Sequence, residues 1–360
     1  MSYKKWLILT GALLLFFAVI VVGVNFYVDH HAVRLSLFSV DKEINQTVYP
    51  DGINQHMFNT EVILRHPEKF DSLLFGSSRT AQIDVAKISA GHYYNMSYSL
   101  GLPSQHLAIL RTLLGRGVKL KAVVIGLDDI SFSLPAVSKK KELIRIMHPE
   151  AGGPNRLEIF GVYFFRKPGL KELGRWKDRV LFGKRKGRVI ISEQGVNLGW
   201  RDKDELVEKA GRPIFNYTVK KYEPIIYPPQ NEEAAFAVIA ELLALAREHH
   251  FSLTFFINPI YWQLYLNNAD AMMRAKERLA TLTDFYDFSG YNSVTTNAMN
   301  YYEESHYRYP VGDWIMARLF GDGPPPPADF GVRVTRQTIG RHLEAERREL
   351  ADYVQAHGLK

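Results

Sequence analysis

The sequence predicts an α/β protein: a parallel sheet covered on both faces by helices, with one transmembrane helix at its amino end. Three observations lead there. Short apolar runs that stop at Gly, Asp or Asn alternate with segments of helical period, the rhythm of a buried parallel sheet. Trp6 to Val24 contains no charged residue and is long enough to cross a bilayer. The 360 residues are 46% hydrophobic and 23% charged, which is the balance of a folded chain with a large core rather than a disordered one.

The elements follow in order. Lys4 and Lys5 precede the first apolar run and Asp29 follows it, so the positive-inside rule puts residues 1–5 in the cytoplasm, makes 6–27 the anchor and leaves the rest outside. A cleaved signal peptide is the alternative, but its apolar stretch runs to ~7–15 residues before a small-x-small site, and Val24-Asn25-Phe26-Tyr27 offers none. Residues 28–60 are mixed and turn-rich, with Tyr49-Pro50-Asp51-Gly52, and read as a connector. The domain proper spans 61–320. Strands are expected at Phe70–Phe75, His92–Met96, Val118–Leu127, Phe251–Ile257 and Asp284–Phe288. Helices are expected at Pro103–Leu114, Glu232–His249, Ala269–Leu282 and Val311–Leu319. Ser77-Ser78, Asp128-Asp129 and Asn258 all fall at carboxyl ends of strands, the edge where ligands bind in such sheets.

An insert at about 136–231 interrupts this rhythm. Residues 139–188 hold 15 Lys or Arg against 5 Asp or Glu, an excess larger than the +7 of the whole chain. A lid, a face for anionic lipid or glycan, and a merely solvated basic surface are all open readings. Residues 321–360 comprise a proline spacer, Pro324 to Pro327, and an amphipathic helix marked by Ile339, Leu343, Leu350 and Val354. The chain has no cysteine, which excludes disulfides, a thiol nucleophile and Cys-ligated zinc.

Two segments carry chemistry. Gly76-Ser77-Ser78-Arg79-Thr80 follows the first sheet strand. A glycine turn into a helix there lifts a serine hydroxyl to the sheet edge and aims backbone N–H groups at developing negative charge. The same residues also serve as an ordinary turn and cap. In Glu303-Glu304-Ser305-His306-Tyr307, a carboxylate three residues before a histidine reaches the imidazole if the segment is helical or turned. It then fixes one tautomer and leaves the other nitrogen as base. A surface acid beside a satisfied histidine is the plain alternative. Metal binding through Glu-x-x-His needs a second copy of the motif, which the sequence lacks.

A serine after the first strand and an acid-x-x-His near the domain's end together resemble the SGNH, or GDSL-like, hydrolase superfamily. The chain is most similar to the membrane-anchored SGNH-like proteins of envelope polymer modification, such as the D-alanine-transfer and alginate acetyl-transfer proteins. The likeness covers roughly 60–320 and the segment Asn25-Phe26-Tyr27-Val28-Asp29. It implies an SGNH-type, flavodoxin-like sheet. It implies Ser78 as nucleophile, with Ser77 still open, His306 as base and Glu303 in the acid place usually held by aspartate. Asn95 to Gly101 resembles the second family block, which makes Gly101 the candidate oxyanion N–H. Gly126-Leu127-Asp128-Asp129 sits where a glycine-asparagine-aspartate block is expected, so Asp128 replaces an amide donor. An ionised carboxylate repels an oxyanion. Asp128 is then protonated, or binds substrate hydroxyls, or yields the donor role to a group such as Asn258; inactivity is the remaining reading.

The function implied is extracytoplasmic acyl transfer or ester hydrolysis on an envelope glycan or polymer, with neither cofactor nor metal. Implied partners are the bilayer, the glycan and an integral-membrane acyltransferase. A non-catalytic glycan-binding or scaffold subunit is the alternative. Nucleic acid is not expected, because the basic insert falls on the far side of the membrane.

Overall fold

A computed structural model of the chain describes residues 2–29, 31–38, 47–49, 53–135, 143–167, 169–170, 173–174, 177, 181, 189–219 and 221–359. The turn expected at 49–52 and several stretches of the basic insert fall largely outside these residues. The chain forms two compact units: Met1–Arg65 with Lys140–Ile191, and His66–Lys139 with Ser192–Lys360.

The first unit opens with a helix over Tyr3–Val28. It is long and apolar enough to cross a membrane, and its most apolar stretch is not buried in the protein. Burial begins only at its end, with Asn25 and Val28. Short helices at Val33–Phe38 and Gln55–Arg65 join one at Arg156–Phe164, and Thr47–Tyr49 pairs antiparallel with Val189–Ile191. Val33, Leu37, Met57, Ile159, Tyr163 and Phe164 form the core of this unit. Residues 53–65 and 143–164 are therefore one packed body rather than a connector and an insert. Asn54 ties them further, donating to the carbonyls of Leu143 at 3.0 Å and Ile146 at 2.8 Å.

The second unit holds the sheet. Its strands are β1 (Ser72–Phe75), β2 (Tyr93–Asn95), β3 (Ala122–Leu127), β4 (Ser252–Ile257), β5 (Phe285–Asp287) and β6 (Val332–Val334). They lie in the order β2-β1-β3-β4-β5-β6. The first five are parallel and β6 is antiparallel to β5. Chain order reverses between β1 and β3, which makes that gap the switch point of a doubly wound sheet. The runs Leu73 to Phe75, Val123 to Leu127 and Phe255 to Ile257 are apolar because both sheet faces are covered there. Leu74, Val124 and Phe256 pack on one side with Ile83, Val311, Ile315 and Met316. The helices are α1 (Pro103–Gly115), α2 (Pro229–His249), α3 (Ala269–Leu282), α4 (Tyr309–Phe320) and α5 (Ile339–Ala356). Helix α2 packs against α1, α3 and β4, and α5 packs against α3.

Two findings differ from the sequence reading. No helix follows Ser78; Thr80–Gln82 is a single 3₁₀ turn. And beyond the proline spacer the expected amphipathic helix is preceded by an unexpected edge strand, β6; the helix is α5, which packs on α3 with Leu343 and Leu350 buried.

Candidate functional site

The site lies at the carboxyl ends of β1 and β3. Gly76 permits the turn after β1, because a Cβ there would stand 2.0 Å from the Thr80 Oγ1. Thr80 then closes the turn, its hydroxyl donating to the Ser77 carbonyl at 2.7 Å and its N–H to the same oxygen at 3.1 Å. Asn95, at the end of β2, donates to the carbonyls of Thr80 at 2.9 Å and Ile83 at 3.1 Å. Ser77 is turned inward and buried, and its Oγ accepts the Arg79 N–H at 3.2 Å. That leaves Ser78 as the serine whose hydroxyl reaches outward.

Glu303 and His306 sit across a tight antiparallel hairpin, Tyr301–Glu303 with His306–Tyr307, so the carboxylate meets the imidazole across strands rather than along a helix. The His306 Nδ1 hydrogen-bonds Glu303 Oε1. The His306 Nε2 lies 2.8 Å from the Ser78 Oγ, 228 positions away in sequence. With Nδ1–H donating to the carboxylate, Nε2 is the acceptor of the Ser78 hydroxyl proton. Burial by itself raises the Glu303 carboxyl. The hydrogen bond and charge of His306, the Ser305 N–H and the Arg79 charge outweigh it and hold the group below its ordinary value.

Arg79 binds the parts together. Its Nη1 lies 2.6 Å from Asp129 Oδ1 and 3.1 Å from Asp128 Oδ1, and its Nε donates to Ser305 Oγ at 3.1 Å. Burial works against its charge, but the two aspartates more than offset this and hold the guanidinium above its ordinary value. Asp128 thus faces a cation that it shares with Asp129, which offsets part of the problem its charge posed.

The other sequence candidates sit differently. Gly101 lies against the turn, where a Cβ would stand 2.2 Å from the Gly76 carbonyl oxygen. Its N–H donates to the Tyr98 carbonyl at 3.2 Å, so close packing, not a spare donor, is what this glycine supplies. Asn258 is buried; its Oδ1 accepts the Tyr307 hydroxyl at 3.0 Å, and its Nδ2 has no acceptor among the described residues. Asn258 therefore carries an uncommitted donor next to the hairpin of His306.

Sequence reasoning missed a wall of the site. Trp200 stacks on the His306 ring, with centroids 5.2 Å apart and planes at 24°. The Lys203 ammonium lies 3.8 Å from the indole centroid. The helix Arg201–Ala210 presents Asp204 and Glu208, one turn apart, to the far side of the hairpin. Asp204 accepts the Tyr302 hydroxyl at 2.6 Å and the Arg308 Nε at 2.7 Å, and Glu208 accepts Arg308 Nη2 at 3.1 Å. The i, i+4 acid pair is visible in sequence, but nothing local links it to an arginine a hundred positions on.

One cluster has metal-like spacing: Asp287, His342 and Glu346. Lys276 lies 2.8 Å from both carboxylates and His342 2.8 Å from Asp287, so an ammonium already offsets part of their charge and the set is an ion-pair network. No protein-family model matches the chain, and no curated protein matches it closely enough to count as a relative, so the geometry of the site is the ground for any functional reading.

Proposed function

We propose that the chain is a membrane-anchored serine hydrolase or acyltransferase of the SGNH type, acting outside the cytoplasmic membrane. The observation that carries this is the connected relay from Ser78 Oγ through His306 to Glu303. The doubly wound strand order, with the serine after β1 at the switch point, supports it. In the first half-reaction Ser78 Oγ attacks an ester carbonyl while His306 Nε2 takes its proton. The tetrahedral adduct then expels the alcohol, which receives that proton from His306. Water or a glycan hydroxyl next attacks the acyl-serine by the same proton exchange, giving hydrolysis or transfer. Glu303 holds the ring and stabilises its cationic form. The Asn258 Nδ2, which has no acceptor among the described residues, is the candidate oxyanion donor. No cofactor is required. The substrate class is an O-acylated envelope glycan, with an integral-membrane acyltransferase as acyl donor partner.

A non-catalytic scaffold or glycan-binding subunit is the second reading. It is favoured by two departures: Gly101 bonds its N–H internally, and Asp128 pairs with Arg79 where hydrolases place an amide. A fluorophosphonate probe separates the two. Covalent labelling of the full chain that disappears in Ser78→Ala and His306→Ala supports the enzyme. Absence of labelling in the folded wild-type chain refutes it in favour of the scaffold. A reporter fused to the carboxyl end, active only on the cytoplasmic side, would refute the topology.

A further inference from the structure

We infer that the exposed apolar side chains Leu157, Val162, Phe165 and Leu170 lie in the interfacial layer of a bilayer with anionic headgroups, as a second membrane contact beside the amino-terminal helix. The inference rests on reading that helix as the anchor. The helix Arg156–Phe164 buries Ile159, Tyr163 and Phe164 in the first unit's core. Its outward side carries large apolar groups beside Arg156 and Glu158: Leu157 is 84% exposed, Val162 43%, and Phe165, just beyond it, 58%. Leu170, Leu173 and Leu181 continue the pattern at 88%, 40% and 62%. Arg156 and Glu158 share the exposed side of the first turn, so the helix presents apolar and charged groups together, and an exposed apolar cluster among charges marks a contact with a phase that takes both.

The position of the cluster says which phase. Asn25, on the last turn of the long apolar helix, donates from Nδ2 to the carbonyls of Phe164 and Arg166, both at 2.8 Å. The rings of Phe26 and Phe164 lie 5.3 Å apart. At a rise of about 1.5 Å per residue, the helix from Trp6 to Asn25 spans about 30 Å, the thickness of a hydrocarbon core. Phe164 and Arg166 are therefore held at the level where the helix leaves the membrane. The composition fits headgroups rather than a protein cover. Residues 139–188 hold 15 Lys or Arg against 5 Asp or Glu, and Arg166, Lys167 and Lys177 alternate with the exposed apolar side chains. Apolar side chains reach about 5–10 Å into the headgroup boundary while neighbouring cations meet lipid phosphates.

The absence of cysteine makes a direct test practical. Leu157→Cys, Phe165→Cys and Leu170→Cys would each be labelled with a polarity-sensitive fluorophore. The full chain would be reconstituted in phosphatidylcholine–phosphatidylglycerol vesicles containing lipid spin-labelled near the headgroup. Val19→Cys in the long helix and Glu241→Cys in the second unit serve as references. The expected result is quenching at the three positions roughly threefold or more stronger than at position 241, and weaker when phosphatidylglycerol is replaced by neutral lipid. If position 19 is quenched and the three positions behave like 241, the inference fails and the anchor stands. If position 19 is also unquenched, the anchor reading fails with it. Labels that are shielded from water in detergent and unaffected by the spin-labelled lipid would overturn the inference by assigning the cover to protein.

Discussion

Arg79→Met is the sharpest perturbation of the site. The guanidinium is almost fully buried and stands 3.1 Å from an Asp128 carboxylate whose side chain is wholly buried. Among the described residues it is the one cation within ion-pair distance of Asp128. Removing one partner of a buried pair leaves an uncompensated charge, at a cost of about 3–5 kcal/mol. At about 2–4 °C per kcal/mol for a domain of 150–250 residues, the melting temperature of the second unit should fall by about 6–20 °C. Trp200, Trp262 and Trp314 all lie in that unit, so intrinsic fluorescence follows its unfolding. Arg79→Met/Asp128→Asn removes the wholly buried stranded charge and leaves only Asp129, whose side chain is 16% exposed, without its partner, so it should regain part of the loss. That double variant keeps the fold but loses the bond to Ser305, and with it one tie between the serine turn and the hairpin of His306. Its probe-labelling rate should drop about 10- to 100-fold, as expected when reacting groups shift by a fraction of an ångström or more. A fall below about 2 °C in Arg79→Met, or a double variant no more stable than the single, would refute the charge argument.

Other outcomes follow from the same contacts. Gly101→Ala forces a methyl against the Gly76 carbonyl and should destabilise by about 1–3 kcal/mol, with slower Ser78 labelling, measured by urea unfolding and probe kinetics. Lys276→Met strands the buried Asp287 and Glu346 carboxylates and should cost about 3–5 kcal/mol in urea unfolding, with partial recovery in Lys276→Met/Glu346→Gln. His342, which contacts Asp287 at 2.8 Å, gives a pH signature. Burial lowers its affinity for a proton, but the hydrogen bond and charge of Asp287 raise it by more, against Lys276 and with help from Glu346. A raised folded value means its stabilisation is complete below the ordinary value of 6.5 and fades as pH climbs through the higher folded one. The stability gap between wild type and His342→Gln should therefore narrow from acid to alkaline pH, and a gap that widens would overturn the assignment.

Much of the sheet was legible because β1, β3 and the second half of β4 are buried on both faces and read as apolar runs. Helices α1 to α4 announced themselves by period, each within a few residues of its observed ends. Strand β6 did not: Val332 and Arg333 are exposed, and a three-residue edge strand leaves no periodic trace. The stripe of α5 was visible in Leu343 and Leu350. Its third buried member, Glu346, was not, because a charge reads as solvent-facing until Lys276 is known to meet it. The two segments of the relay were legible as short motifs. Trp200 and Arg79 were not, since stacking and bridging are relations between distant segments that one sequence does not display. The division into two units was hidden for the same reason, as Met57 and Ile159 find each other only in three dimensions.

The bond from Asn25 to Phe164 joins positions 139 apart. At about 5–20 residues per second, a ribosome needs roughly 7–28 s to deliver the second partner after the first. During that wait the leading helix must remain soundly placed without its protein companion, while the sheet strands of the other unit are already emerging. Assembly of the amino-terminal unit is thus timed by synthesis rather than by diffusion, and slowing translation between these positions should lengthen exposure of its unfinished core to proteases.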